Sequence, residues 1–161
     1  GVRDPMARNI SAFFHNMPAD VTTVEQALER FRIQAEQEVQ VTQHWFDAHV
    51  GTALGINVFG READFSRGGH VVAGNFLILR LEDPQDARER AVARFLDLES
   101  FSMPRVNVGS EKPYAELYRE FKERFRPTRA LVDATYDCKY VDHFYPESRD
   151  AMKARWLERC I

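Results

Sequence analysis

Two segments of the chain present the same order of features, and this repeat constrains the fold more than any other property of the sequence. In each segment an apolar stretch ends in a charged residue, an Asp-Pro pair follows, and an amphipathic helix begins. The first leads from Val2 to Asp4-Pro5, and the second from FLILRL (residues 76–81) to Asp83-Pro84. Because Asp favours the N-cap and Pro the first helical position, both predict strand–loop–helix units. Two such units imply parallel strands with crossover helices, so we predict an α/β fold.

The rest of the chain reads as mainly helical. Apolar residues at helical spacing predict a helix that begins at Pro5, and the spacing of Thr22 and Glu25 predicts a capping box for a second helix. We expect a separate third helix around Trp45 that ends at Gly55. Within residues 70–81, Gly74-Asn75 is a candidate hairpin turn. Three C-terminal helices are predicted over residues 113–125, 131–144 and 148–157.

Composition limits the function classes. The chain has 161 residues, 44% of them hydrophobic, which is enough for one domain with a sizeable core. A net charge of −3 excludes a general role on nucleic acid or at a membrane surface. The two cysteines, Cys138 and Cys160, form no disulfide framework, so we expect a reducing, cytoplasmic compartment. No spacing of histidine and carboxylate residues fits a metal site.

The first helix carries a candidate anion site. Arg3 stands at the end of the predicted strand, and Arg8, Ser11 and His15 share one face of the helix opposite its apolar stripe. An arginine fork and a hydroxyl together suit phosphate oxygens, and the helix N-terminus adds a favourable field. The alternative is a solvated helix face on which Arg8 pairs with Asp4.

This arrangement resembles the 3′-phosphate-binding motif of sulfotransferases, which use 3′-phosphoadenosine 5′-phosphosulfate as donor. The resemblance implies that Arg3 and Ser11 hold the 3′-phosphate, and Arg8 matches a second arginine common in carbohydrate sulfotransferases. The segment FLILRLEDPQDARERAVARFLDL (residues 76–98) is similar to a second sulfotransferase segment, in which the acidic pair matching Glu82 and Asp83 has a structural role.

Three further stretches make the resemblance more specific. WFDAHVGTALGINVF, NVGSEKPYAELYREFK and YDCKYVDHFY resemble a bacterial family of capsular polysaccharide synthesis proteins that is sulfotransferase-like. The resemblance covers nearly all of residues 1–161, as one domain. It implies a sulfotransferase-like, P-loop-related parallel sheet and sulfuryl transfer to a carbohydrate hydroxyl. The alternative is a non-catalytic nucleotide-binding or scaffold domain derived from that fold.

One part of the sulfotransferase pattern is missing from the sequence. Sulfotransferases carry a loop that grips the 5′-phosphosulfate, and nothing similar occurs here. The glycine-rich stretch SRGGH (residues 66–70) comes too late and no helix follows it directly. We therefore expect the phosphosulfate loop to lie upstream of Gly1, so that either the chain is truncated at its N-terminus or the resemblance covers a partial protein.

Sulfuryl transfer needs a base to take the proton of the attacking hydroxyl. The densest group of candidates surrounds Trp45, and we predict His49 as the base with Asp47 as the next choice. The alternative is that Trp45 and Phe46 belong to the core and the flanking histidines lie on the surface. Further candidates are His15, His44, His70 and His143, and Lys139 is a candidate for the acceptor site.

Overall fold

The structure is a computed structural model that describes residues 1–60, 62–104 and 113–161. Residues 107–112, which begin the stretch NVGSEKPYAELYREFK, lie outside this part. The elements in chain order are α1 (Pro5–His15), α2 (Val24–Trp45), a π-helical turn (Phe46–Gly51), α3 (Thr52–Leu54), a 3₁₀ turn (Val58–Gly60), β1 (His70–Val72), β2 (Phe76–Ile78), α4 (Gln85–Phe95), α5 (Ala115–Arg124), α6 (Arg129–Tyr136), α7 (Lys139–Phe144) and α8 (Arg149–Leu157). None of the helices in these segments combines the length and the apolar character needed to cross a membrane.

The prediction of a sulfotransferase-like α/β fold with a parallel sheet is wrong. The described residues are mostly helical, and their sheet consists of two antiparallel strands, β1 and β2. The φ angles of Ala73 and Gly74 are positive, 54° and 77°, so a tight turn of the kind that favours hairpins joins the strands. Only residues 76–78 of the apolar run FLILRL form a strand, and they pair with β1, the strand that precedes them directly in the chain.

The two Asp-Pro units nevertheless lie side by side. Val2 forms an isolated parallel bridge with Arg80, in which the Val2 amide donates to the Leu79 carbonyl at 2.7 Å and the Leu81 amide donates to the Val2 carbonyl at 2.9 Å. One bridge is too short to make a parallel sheet. Its effect is to place Arg3 and Glu82 at the same edge of the molecule.

The start of α1 follows the prediction and is held in the core. Asp4 is the N-cap and accepts a hydrogen bond from the Ala7 amide at 3.0 Å. The Glu82 carboxylate accepts from the Asp4 amide at 2.8 Å and from the Tyr145 hydroxyl at 2.9 Å. Glu82 therefore has the structural role that the resemblance implied.

The apolar stripe of α1 packs against α2 and α5. The rings of Phe13, Phe31 and Phe121 lie within 6.2 Å of one another, centroid to centroid, and all three are buried. Such rings contribute large buried apolar areas; here Phe31 meets both other rings edge-to-face, and Phe13 and Phe121 are stacked. This cluster holds α1 and α5 on either side of the same gap.

Three helix boundaries differ from the prediction. The capping box uses Thr23 and Gln26 rather than Thr22 and Glu25. α2 then continues to Trp45 and directly into the π-helical turn, so the predicted second and third helices are one continuous element. The predicted helix over residues 131–144 is divided, because Cys138 has extended backbone angles.

Candidate functional site

A cavity of about 750 Å³ lies beside α1, between the end of α2 and the start of α5. It receives side chains from distant parts of the sequence because the aromatic cluster holds the three helices around it. Its described lining residues are Gly1, Val2, Arg3, Arg8, Ser11, Ala12, Phe14, His15, Asn16, Thr42, Trp45, Phe46, Leu81, Tyr114, Tyr118, Lys122 and Tyr140.

Arg3 is fixed through its backbone. The Tyr140 hydroxyl accepts a hydrogen bond from the Arg3 amide at 3.0 Å and donates one to the Arg3 carbonyl at 2.9 Å. Burial raises the pKa of Tyr140, so the phenol remains protonated and able to donate. The Arg3 guanidinium forms no hydrogen bond or ion pair with any described residue. Within the described part of the chain nothing occupies its five donors, which suit an anion.

Ser11 and His15 lie on the same face of α1 as the cavity. They are four residues apart, which places one above the other on a helix. The Ser11 side chain makes no hydrogen bond with the described residues, and His15 is exposed at the end of α1. The structure thus brings Arg3, Ser11 and His15 to one cavity, while the N-terminus of α1 is already capped by Asp4.

Arg8 also lines the cavity, but its charge is partly used. Its guanidinium forms an ion pair with Glu38 at 2.7 Å and donates to the Asn9 side chain at 3.1 Å. The Thr42 hydroxyl donates to the same Asn9 oxygen at 2.7 Å. Arg8 therefore pairs with Glu38, and not with Asp4 as the alternative reading of this helix assumed.

The wall opposite this face is aromatic and was not recognised in the sequence. The rings of Tyr114 and Tyr118 lie 5.7 and 4.9 Å from the ring of Phe14. The Lys122 ammonium lies 4.4 Å from the centre of the Tyr118 ring, at the distance of a cation–π contact. The signal was available, because Tyr114, Tyr118 and Lys122 are spaced four apart and form one stripe of α5.

The cavity is cationic. Its described lining includes Arg3, Arg8 and Lys122 together with His15, and it contains no aspartate or glutamate. The remaining polar groups are amides and hydroxyls, which bind phosphate or sulfate oxygens as donors. Cationic and aromatic surfaces side by side suit a ligand that combines an anionic group with a flat ring.

The predicted catalytic residues lie outside this lining. Asp47 and His49 belong to the exposed face of the π-helical turn, and the Asp47 carboxylate forms an ion pair with Lys139. The His49 ring lies 5.3 Å from the ring of Trp45, which does line the cavity. A π-helical turn is a frequent feature of functional sites. The catalytic roles of His49 and Asp47 stay predictions.

A second cavity of about 530 Å³ lies between the segment of residues 62–66 and the end of α7. Arg80 lines it and is bound by Asp83 and Glu147, so its charge is neutralised. The rings of His70 and His143 lie 6.1 Å apart beside it, and burial lowers the pKa of both. Within the described segments, no three side chains of the metal-binding types come together.

Comparison with known proteins identifies a family. A family model named NKWYS, described as "putative capsular polysaccharide synthesis protein", matches residues 22–146, which is more than half of the chain. The matched part contains α2, the π-helical turn, the hairpin and α5 to α7, and hence the aromatic wall of the cavity, whereas α1 with Arg3, Arg8 and Ser11 precedes it. No curated protein and no solved structure matches the chain.

Proposed function

The chain belongs to the family described as "putative capsular polysaccharide synthesis protein", and from the residues of its cavity we propose that it binds 3′-phosphoadenosine 5′-phosphosulfate and transfers the sulfuryl group to a carbohydrate hydroxyl. Arg3 and Ser11 hold the 3′-phosphate. The residues of the cavity support this function, although the parallel sheet predicted from the sequence is not found in the described residues.

The observation that carries the proposal is the shared position of Arg3 and Ser11. Both line one cavity, and neither side chain is used by a described neighbour. A guanidinium forms strong bidentate hydrogen bonds with a phosphate, and a hydroxyl adds a further donor. The backbone from which the guanidinium extends is held in place, because Tyr140 forms hydrogen bonds with both the amide and the carbonyl of Arg3.

Size and surface agree with a nucleotide. The volume of about 750 Å³ falls within the range of roughly 300–1,000 Å³ that is usual for small-molecule sites. The rings of Tyr114 and Tyr118 supply aromatic faces for a purine. The cationic lining suits a ligand with several negative charges, and the family description supports a carbohydrate as acceptor.

Binding is tested with adenosine 3′,5′-bisphosphate, the product that remains after sulfuryl transfer. Titration calorimetry and thermal unfolding should show binding and stabilisation of the wild-type chain. Arg3→Ala should weaken binding by about 10- to 100-fold, since a charge-assisted hydrogen bond contributes about 1.5–3 kcal/mol. Ser11→Ala should weaken it several-fold.

Arg32→Ala is the matched control, because Arg32 is an exposed arginine of α2 that does not line the cavity. It should leave the affinity unchanged. If the wild-type chain does not bind the bisphosphate, or if Arg3→Ala and Arg32→Ala have equal effects, the proposed nucleotide site does not exist.

A second candidate function is nucleotide binding without transfer. The ion pair between Asp47 and Lys139 and the position of His49 outside the lining favour it, because neither predicted base faces the cavity. One measurement distinguishes the two functions. It follows the release of adenosine 3′,5′-bisphosphate from the sulfuryl donor in the presence of carbohydrate acceptors. Release that stops in His49→Gln supports transfer. Binding without release supports the second candidate.

A further inference from the structure

An exposed tryptophan lines the cavity where α2 ends. Trp45 is 43% exposed, whereas the adjoining Phe46 is buried, so that only Phe46 of this aromatic pair belongs to the core. Resting on the carbohydrate acceptor of the proposed function, we propose that Trp45 is the aromatic surface on which a hexopyranose ring of the acceptor stacks. Neither the family description nor the resemblance to sulfotransferases assigns this residue a role.

The indole ring of Trp45 is held in place by its neighbours. It meets the ring of Phe46 edge-to-face, with the centroids 5.2 Å apart, and Phe46 packs against the fully buried Phe144 at 5.2 Å. A second contact, at 5.3 Å, joins the indole to the ring of His49. Because tryptophan has only two side-chain torsions and these contacts restrict them, little conformational entropy is lost when a ligand binds to the ring.

The exposed surface of Trp45 suits a sugar. An indole has flat apolar faces and a single polar N–H group at its edge. A hexopyranose has the matching arrangement, since its ring C–H groups form an apolar face and its hydroxyls surround that face. The Trp45 Nε1 atom donates to no acceptor in the described part of the chain, so it is able to donate to a sugar hydroxyl.

The position of Trp45 favours the acceptor over the purine of the donor. The two tyrosines that supply aromatic faces for a purine contact Phe14, in the last turn of α1. Trp45 belongs to the part of the cavity beside the start of that helix. The ring of its neighbour Phe46 is 6.5 Å from the ring of Tyr140, and Tyr140 holds the backbone of Arg3. The two aromatic surfaces are therefore separate.

The same position connects the cavity with the predicted base. Trp45 lines the cavity, and its ring contacts that of His49, which lies outside the lining. A sugar ring stacked on the indole would therefore border both the residues proposed to bind the sulfuryl donor and the imidazole predicted to take the proton of the attacking hydroxyl.

Fluorescence can report Trp45 alone, because the chain has two tryptophans. The other, Trp156, packs against Phe125 at 5.9 Å and does not line the cavity. In a Trp156→Phe background, cellobiose, lactose and N,N′-diacetylchitobiose are titrated at millimolar concentrations. At least one of these disaccharides should shift the emission of Trp45 and protect the indole from quenching by acrylamide.

Saturation-transfer NMR then measures the same disaccharide on variants without the indole. Trp45→Ala should weaken its binding about 10-fold, because a large aromatic contact is lost, and Trp45→Phe should weaken it less. Leu54→Ala is the matched control, since Leu54 is an exposed apolar residue outside the lining, and it should leave binding unchanged.

Calorimetry with adenosine 3′,5′-bisphosphate separates this inference from the proposed function. Trp45→Ala should bind the bisphosphate as the wild-type chain does. The inference is overturned if no disaccharide changes the emission, if Trp45→Ala binds the disaccharides unchanged, or if Trp45→Ala and Trp45→Phe both lose the bisphosphate, because Trp45 then belongs to the nucleotide site. If a disaccharide binds through Trp45 and the wild-type chain does not bind the bisphosphate, the sugar site stands and the proposed donor site fails.

Discussion

The Tyr136 hydroxyl donates a hydrogen bond of 3.0 Å to the Oδ1 atom of Asp4, across 132 positions of sequence. The same carboxylate caps α1 and accepts from Arg155 at 3.1 Å. Asp4 directly follows Arg3, so the core that secures the helix cap also secures the residue proposed to bind phosphate. Stability and the position of Arg3 are therefore linked at the start of α1.

Asp4→Ala should lower the free energy of unfolding by about 2–4 kcal/mol. The substitution removes the N-cap, and it leaves the buried Tyr136 hydroxyl without its acceptor. Urea denaturation measures the change. Tyr136→Phe is the control, because it removes one hydrogen bond while the cap remains, and it should cost about 1 kcal/mol. A wild-type unfolding midpoint for Asp4→Ala would show that Asp4 does not anchor the start of α1.

Tyr140→Phe should weaken binding of adenosine 3′,5′-bisphosphate several-fold and leave the fold intact. The variant retains the buried ring but loses both hydrogen bonds to the Arg3 backbone, so the guanidinium is less well positioned. Calorimetry gives the affinity, and circular dichroism gives the fold. In an Arg3→Ala background the same substitution should have little further effect, because the two residues act on one contact. Additive losses would show that Tyr140 acts independently of Arg3.

The helices could be predicted from sequence where the signal was local. The cap at Asp4, the apolar stripe of α1 and the turn at Gly74 each involve residues within a few positions of one another. The pairing of the strands could not be predicted, because an apolar run contains no information on which other strand will be its partner. FLILRL pairs partly with β1 and meets Val2 in a single bridge.

Only part of the candidate site could be predicted, because only some of its residues are close to one another in the sequence. Arg3 and Ser11 are eight positions apart at the start of the chain, so their spacing was enough to place them together. Lys122 and Tyr118 reach the cavity through the packing of α5 on Phe14, which spacing alone does not reveal. Phe121 and Phe125 of the same helical segment are fully buried, so one face of the segment belongs to the core while the other lines the cavity.

Glu38→Gln should increase the affinity for adenosine 3′,5′-bisphosphate several-fold. Glu38 neutralises Arg8 in the unliganded chain, and its removal leaves a further cation beside the cavity. Calorimetry at low and high salt measures the effect, which should be smaller at high salt. Glu36→Gln is the matched control on the exposed side of α2. If Glu38→Gln binds the bisphosphate equally well or more weakly, Arg8 stabilises the contact between α1 and α2 and does not bind the ligand.

Stability should decrease as the pH falls below 6.5, because of His70 and His143. The His70 Nδ1 accepts from the Asp64 amide at 3.2 Å, so the ring is neutral with its proton on Nε2. The Nε2 atoms of both histidines are buried without a described partner. Burial lowers both pKa values from 6.5, so the unfolded chain binds more protons below that pH. The stability that the two neutral rings contribute is fully present above pH 6.5, and it is lost as the pH falls towards their folded-state pKa values.

Urea denaturation at about pH 7 and about pH 5 measures this effect, since the difference in unfolding free energy reports the protons taken up on unfolding. His143→Phe and His70→Phe should each reduce the difference between the two pH values. His44→Gln is the control, because His44 is exposed on α2 and should leave the difference unchanged. If all three variants keep the wild-type difference, carboxylates or the chain terminus cause the pH dependence, and the two buried imidazoles do not.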